Sequence, residues 1–418
     1  MSPTYEDEQK VVKALVKSGL LDWIGILGAF RGVQNERFPG TIGGRIYWWF
    51  ELFSECTSIF NVITMSSIIV MADKPGTRWM AAFPAFCSFL SLYLSLYPRF
   101  KKKEFRSLFA SFDSVFTDPE TVVYLEQEIE KGALRTRTIT YLSVVLQFLP
   151  FAISCAILPV VNEALDHAIM PRKIVIPAMF PFDPLASLPN YLLAVFCHMC
   201  GSIFVIFKII GFMETFFIFA SRLVAMFKTL KLNLRQILEA LDEVNRNYPN
   251  FADREALSEH LVRLLKAWVK HHQQCLRILR ELESLYSWPF ALYFGAWILV
   301  ICTATLVFTD DSVDRMTVVV CGAFLTGAII QLLTTSRMGD TITYGVDGLT
   351  SAIHGTDFNL LNKKEYRYLR IILTRCQKIS VIQAVGLFPL SIETFKSIMA
   401  SSYSYYTMLK KMNEKSNQ

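Results

Sequence analysis

The chain has 418 residues, 53% of them hydrophobic and 13% aromatic, with a mean hydropathy of +0.36. That is too apolar for an ordinary soluble protein, and the excess lies in seven long runs. The net charge of +6 is not a nucleic-acid signature, because Lys and Arg alternate strongly from one loop to the next.

Residues 1–45 open with the polar, acidic stretch MSPTYEDEQKVVK, which is no signal peptide. They read as a cytoplasmic amphipathic helix with a break around Phe38-Pro39-Gly40. The seven apolar runs are Ile46–Met71, Trp79–Tyr97, Ile139–Val161, Pro189–Phe219, Trp288–Phe308, Met316–Thr335 and Ser391–Met412. About 20 helical residues at ~1.5 Å each cross the ~30 Å hydrocarbon layer, so each run is a predicted transmembrane helix. The segments on one side of these spans carry 32 Lys and Arg, and those on the other side carry 8. Positive charge stays cytoplasmic, which places the N-terminus inside and, after seven crossings, the C-terminus outside.

The first span carries Glu51 and Glu55 four residues apart near its inner end. Intramembrane acids mark an ion path or a buried pair, and pairing with a basic residue is the favoured reading here. An Asp-Lys-Pro-Gly turn (73–76) leads to the second span, where Pro84 predicts a kink. Arg99, Lys101, Lys102 and Lys103 then stop that span at the inner face. The third span ends outside at Pro150 and Pro159. The outer loop 162–188 carries Pro171, Pro177, Pro181 and Pro184, with Pro189 at its border, together with Phe180 and Phe182. Such a loop is stiff and suited to capping a cavity.

Beyond Phe219 the helical pattern continues through Leu223, Phe227, Leu230, Leu234, Ile237 and Leu241 into the 221–287 loop. A second cytoplasmic helix is predicted from Leu257 through Trp268 to Leu285, and a third from Asn362 to Cys376. Lys208 lies inside the fourth span and Lys396 inside the seventh. Residues 46–336 thus hold six spans, 337–390 form a cytoplasmic unit, 391–412 the seventh span, and 413–418 an outer tail. The fold class is an all-α membrane protein with cytoplasmic helical extensions. Seven of the nine cysteines sit in spans and Cys275 and Cys376 in the reducing cytosol, so no disulfide framework is expected.

No catalytic motif occurs: there is no Gly-x-Ser-x-Gly elbow, no His-Glu-x-x-His and no phosphate-cradling Gly-rich loop. Cys197-His198-Met199-Cys200 has metal-like spacing, but it lies in a membrane helix without a second ligand pair, so neither a metal nor a cofactor is expected. His271-His272 reads as a solvated cytoplasmic face. The outer halves of spans two to six are apolar, with scattered hydroxyls. They offer Phe83, Phe86, Leu90, Gln147, Phe151, Ser154, Cys155, Val195, His198, Met199, Ser202, Ile301, Thr305, Val319, Ala323 and Phe324 as candidate ligand-binding residues. A small oily ligand fits that chemistry, and one of about ten heavy atoms reaches roughly micromolar affinity. The same residues also suit plain bundle packing.

The seventh span is too polar for a helix that meets only lipid. Ser397, Ser401, Ser404, Tyr405, Met408 and Lys411 recur along one stripe at steps of three and four, beginning from Thr394. A polar stripe in a membrane must face water, a polar partner or a close-packed helix. Pore lining and helix packing both satisfy it.

Gly386-Leu387-Phe388, Ser391, Thr394-Phe395 and above all Ser402-Tyr403-Ser404-Tyr405-Tyr406 with Leu409 carry a resemblance to the seventh helix of insect odorant receptors, which often read SYSYF there. Phe180-Pro181-Phe182-Asp183-Pro184 and Arg337-Met338-Gly339 support it, as do length, span number and orientation. The resemblance implies an odorant-gated, nonselective cation channel in the plasma membrane of a sensory neuron dendrite. It implies a heterotetramer with the odorant receptor co-receptor, in which cytoplasmic anchor helices hold the subunits and four seventh helices ring the pore. Tyr405, Met408 and Lys411 then fall near the outer gate, with Met408 at the constriction. Lys411 departs from the co-receptor's Gln and is awkward beside a cation path. The long fourth-to-fifth-loop insertion of the co-receptor is missing, which favours a ligand-tuning subunit. Insect gustatory receptors resemble the architecture, but their seventh helix carries a Thr-Tyr pair and a later Gln-Phe, where this chain has Ser404-Tyr405 and Lys411-Met412. A metabotropic seven-helix receptor is expected to carry Asp-Arg-Tyr and Asn-Pro-x-x-Tyr motifs, and neither occurs.

Overall fold

The computed structural model describes residues 42–72, 75–113, 178–247, 251–308, 315–354, 361–378 and 380–416, with isolated positions between 115 and 174 and at 313. The predicted N-terminal helix, the break at Phe38-Pro39-Gly40 and most of the third span lie outside the described residues. Those described form α1 (Ile42–Met71), α2 (Pro75–Phe100), α3 (Lys102–Asp113), α4 (Leu188–Asn247), α5 (Phe251–Val307), α6 (Arg315–Ile353), α7 (Lys363–Cys376) and α8 (Ile392–Ser416). A two-stranded antiparallel hairpin, β1 (Gln383–Ala384) and β2 (Phe388–Pro389), joins α7 to α8. α1, α4, α5 and α6 are long and apolar enough to cross a membrane on their own composition. α2 and α8, with 26 and 25 residues, are also long enough to cross one, though α8 is more polar than the rest.

Several predicted boundaries move. Pro75 and Gly76 are not a turn but the first residues of α2, a position where proline's fixed φ and missing N–H are no handicap. α1 begins at Ile42 rather than 46. α6 runs unbroken to Ile353, across the predicted 336/337 boundary, and α8 continues to Ser416, past 412. The predicted second cytoplasmic helix and fifth span are a single helix, α5, of 57 residues.

α5 stays continuous despite Pro289 within it. A proline lacks the N–H that the carbonyl four residues earlier needs. That carbonyl belongs to Leu285, and the Tyr97 hydroxyl of α2 donates to it at 2.7 Å. The neighbouring helix thus satisfies the group that the proline leaves open. α4, of 60 residues, is about 90 Å long and lies antiparallel to α5.

Below the membrane, Leu223, Phe227, Leu230, Leu234, Leu238 and Leu241 of α4 are buried. They face Leu261, Leu265, Trp268, Cys275, Leu279 and Leu282 of α5. Steps of three and four on both helices give a coiled-coil-like seam. The Trp268 indole donates to Leu230 O at 2.8 Å. His272, expected on a solvated face, is buried in this seam beside the Trp268 ring, at 4.9 Å, and His271 is half-buried. α7 starts at Asn362, whose side chain accepts from the Lys364 and Glu365 amides in a capping box. The buried Glu365 returns the bond to the Asn362 amide and accepts from Ser258 of α5, which ties α7 to the seam.

The intramembrane charges meet. Lys208 of α4 is 0% exposed and donates to Glu55 at 3.0 Å, Ser58 Oγ at 2.8 Å and Ser54 O at 3.3 Å. Glu55 also accepts from Arg99 of α2 at 2.9 Å and from Ser95 at 2.9 Å. The predicted pairing of Glu55 therefore holds, with two cations on one carboxylate, and it joins α1, α2 and α4. The Glu51 side chain lies outside the described part of α1.

The hairpin sits against α5 at the base of the fifth span. Val385 N–H donates to Ser287 Oγ at 2.7 Å, and Gln383 N–H to Glu283 at 3.2 Å. Val385 and Gly386 both have positive φ, 51° and 66°, inside a turn closed by Leu387 N–H on Ala384 O. This is a type I′ geometry, which glycine and asparagine adopt readily and a β-branched residue does not. On α6, a Cβ added at Gly339 would overlap the Leu390 carbonyl oxygen, so only glycine permits the chain leading into α8 to lie that close.

Two outcomes follow from this packing. Glu55→Gln strands the buried ammonium and lowers stability by roughly 3–5 kcal/mol, while a Glu55→Gln/Lys208→Met double variant regains part of the loss; thermal unfolding of the detergent-solubilised chain measures both. Val385→Asn relieves the turn and stabilises by about 1 kcal/mol, or roughly 1–2 °C in Tm; an unchanged or lower Tm contradicts strain at this position.

Candidate ligand site and pore face

The described end of the outer loop, residues 178–187, folds onto the membrane bundle. Met179 N–H donates to Thr64 O of α1 at 3.1 Å. Asp183 then shapes the descent into α4: its carboxylate accepts from the Leu185 amide at 2.9 Å and its carbonyl from Asn190 at 3.0 Å. Phe180 lies 5.4 Å from Phe182, 6.2 Å from Phe60 and 5.2 Å from the imidazole of His198. Phe180 and Phe182 therefore form an aromatic lid over the outer parts of α1 and α4.

Beneath that lid, Met65 of α1, Ala85 of α2 and Val320 of α6 form a small buried cluster. Met199 and Phe324, two of the candidate ligand-binding residues, pack against it together with Ile69 and Ala178. Leu90 and Ile301 are buried in the main core, with Phe86 packed against it. Val195, Ser202, Thr305 and Ala323 are half-buried, and the Thr305 hydroxyl is already used on Ile301 O at 2.5 Å. Val319 is 57% exposed and points away from the cluster, while its neighbour Val320 points in. Gln147, Phe151, Ser154, Cys155 and the Phe83 side chain lie outside the described residues.

Sequence reasoning did not single out Asn61. Its side chain is wholly buried against Gly201 of α4, where an added Cβ would overlap it. Neither Asn61 amide atom nor His198 Nε2 has a hydrogen-bond partner among the described residues. Three unanswered polar atoms thus lie within an apolar outer bundle. A buried polar group without a partner costs about 1–3 kcal/mol, a cost that water or a ligand hydroxyl there would remove. The only sequence signal for Asn61 is its polarity in an otherwise apolar span.

α8 has two different faces. Thr394, Ile398 and Ser402 are buried, with Phe395 and Met399 packed on the core beside them. Cys302 of α5 donates to Ser402 O at 3.5 Å. The base is fixed by Ile392 N–H on Asp340 at 3.0 Å and by Ser391, which accepts from the Thr394 amide at 3.1 Å as an N-cap. The predicted stripe divides: Thr394, its first member, is on the packed face and Tyr405 is in phase with it, while the rest turn toward the other side. Ser397, Ser404 and Lys411 are exposed, Ser401 is half-buried, Tyr405 is 55% exposed and Met408 58%. Ser404 and Thr407 turn their hydroxyls onto backbone carbonyls of the same helix, at 3.1 and 2.8 Å. Their donors are therefore satisfied without a neighbouring chain.

Comparison with known proteins follows the same lines. A sequence-family model described as 7tm Odorant receptor matches residues 75–403. Odorant receptor 2a of Drosophila melanogaster is 24% identical over 312 residues, covering 73% of this chain and 74% of that protein. Odorant receptor Or2 of Anopheles gambiae is 23% identical over 148 residues, 35% of this chain and 39% of its own length. The structure of the insect olfactory receptor OR5 from Machilis hrabei in complex with eugenol superposes with a TM-score of 0.73 at 15% identity, covering 94% of this chain and 98% of that one; at such low identity the likeness is one of fold. With a family model spanning most of its length, from the first residue of α2 into α8, the chain belongs to the insect seven-transmembrane odorant receptor family.

Proposed function

We propose that this odorant receptor is the ligand-tuning subunit of an odorant-gated, nonselective cation channel, assembled as a heterotetramer with the odorant receptor co-receptor. It sits in the dendritic plasma membrane of a sensory neuron with its N-terminus inside and C-terminus outside. The observation that carries this reading is the division of α8. One face is packed and the opposite face, polar at Ser397, Ser404 and Lys411, is left open at membrane depth, while Tyr405, in phase with the packed face, is exposed farther along the helix. Such a face is costly against lipid and well placed against a water-filled axis shared with other subunits.

The ligand is a small volatile, largely apolar molecule held in the outer halves of the spans under the Phe180 lid. The family neighbour whose structure was determined with eugenol is consistent with that class. Bound ligand favours the open arrangement of the α8 helices only to the extent that it binds that arrangement more tightly. The His198 and Asn61 polar atoms supply a place for one hydroxyl or carbonyl of the ligand.

The test is co-expression with the co-receptor under voltage clamp, with a panel of volatiles. Tyr405→Ala and Met408→Ala are expected to change odorant-evoked current or ion selectivity severalfold at unchanged surface expression. Currents identical to the unmodified receptor would remove α8 from the pore. An epitope at the C-terminus reached only after permeabilisation would overturn the topology and favour a metabotropic receptor.

A further inference from the structure

On the cytoplasmic half, a cavity of about 490 Å³ opens between α5 and the segment joining α7 to β1. Its wall carries three cations, Arg280 from α5, Arg375 from the last turn of α7, and Lys378 just beyond it. Arg280 Nε donates to Leu276 O and an Arg375 Nη1 to Lys378 O, both at 3.3 Å. These bonds orient the side chains and, among the described residues, leave their charges without an ion-paired anion. The opposing charges are Glu283, whose carboxylate accepts from the Gln383 amide at 3.2 Å, and the carbonyl end of α7. Positive charge is in excess.

Depth matters as much as charge. Arg280 precedes Trp288, where the fifth span begins, by eight residues, or about 12 Å of helix. That is just below the headgroup layer, which extends about 5–8 Å past the hydrocarbon, where a basic pocket meets both phosphorylated headgroups projecting from the inner leaflet and soluble phosphates. The volume lies within the range of about 300–1,000 Å³ usual for small-ligand sites. Gln273, Ser380 and Glu283 add hydroxyl-bonding groups beside the cations. A polyol carrying phosphates uses both sets, whereas bare phosphate uses only one.

We propose that this cavity binds a polyol bearing two or more phosphate groups, either as the headgroup of an inner-leaflet lipid or free in the cytosol. The guanidinium forks take phosphate oxygens in pairs, and Lys378 adds a mobile third charge. Because the cavity wall runs directly into the hairpin that precedes α8, an occupant ties α5 and α7 to the base of that helix. The site is independent of the pore assignment, and binding rather than current reads it.

The experiment uses the purified full-length chain in phosphatidylcholine nanodiscs, with fluorescent inositol-bisphosphate lipid in one arm and soluble inositol trisphosphate in the other. Arg280→Gln and Lys378→Gln are each expected to weaken binding about tenfold, and Lys270→Gln, on the same helix but outside the cavity, to leave it unchanged. Glu283→Gln keeps an acceptor for Gln383 and removes a repulsion, so it tightens binding roughly threefold, a gain that misfolding does not produce. Preference for the lipid arm identifies a membrane ligand, and equal binding of the soluble headgroup a cytosolic one; both support the site. Binding no stronger than to phosphatidylserine at matched charge, cavity variants that bind like the unmodified chain, or loss of binding on assembly with the co-receptor would each overturn it. The last result would assign the face to a subunit interface.

Discussion

A backbone carbonyl buried between packed helices has no water to turn to, and the two longest helices are organised by that rule. α4 and α5 run unbroken between membrane and cytoplasm, so the bundle and the intracellular seam are one packed unit rather than two joined by a linker. Where α5 contains Pro289, the orphaned Leu285 carbonyl is answered by Tyr97 from α2. A single hydroxyl thus allows a proline to sit in a helix 57 residues long. The aromatic packing of Tyr286 and Phe290 of α5 against Phe212 and Phe216 of α4 surrounds this point.

The buried charges obey the same logic in side chains. Lys208 has no route to water and takes three oxygen partners from α1. Glu55 in turn holds Arg99 and Ser95 of α2. Desolvating such ions is expensive, and the arrangement contributes specificity of register more than net stability. It fixes the inner ends of α1, α2 and α4 relative to one another, whatever happens at their outer ends around the candidate ligand site.

Hydropathy made α1, α4, α5 and α6 legible, and steps of three and four revealed the seam between α4 and α5. The joining of two predicted segments into α5 was not legible, since proline ordinarily ends a helix and the compensating tyrosine is 188 residues distant in sequence. Helical phase was a second blind spot. Adjacent residues on a helix differ by about 100°, and a span apolar on every side does not reveal which face looks inward. Hence Val319 was favoured where Val320 points in, and Met65 and Ala85 went unnoticed although Met199 and Phe324 pack on them. α8 was easier because its polarity is uneven: of the stripe read from Thr394 to Lys411, the structure buries Thr394 and half-buries Ser401 but leaves Ser397, Ser404, Tyr405, Met408 and Lys411 exposed. The hairpin was invisible because Val385 occupies a backbone region that valine disfavours.

At Gly339, α6 presents bare backbone to the Leu390 carbonyl, with no side chain between the two elements. Side chains normally absorb small shifts by changing rotamer. Here that cushion is absent, so any tilt of α6 reaches the foot of α8 undamped, main chain pushing on main chain.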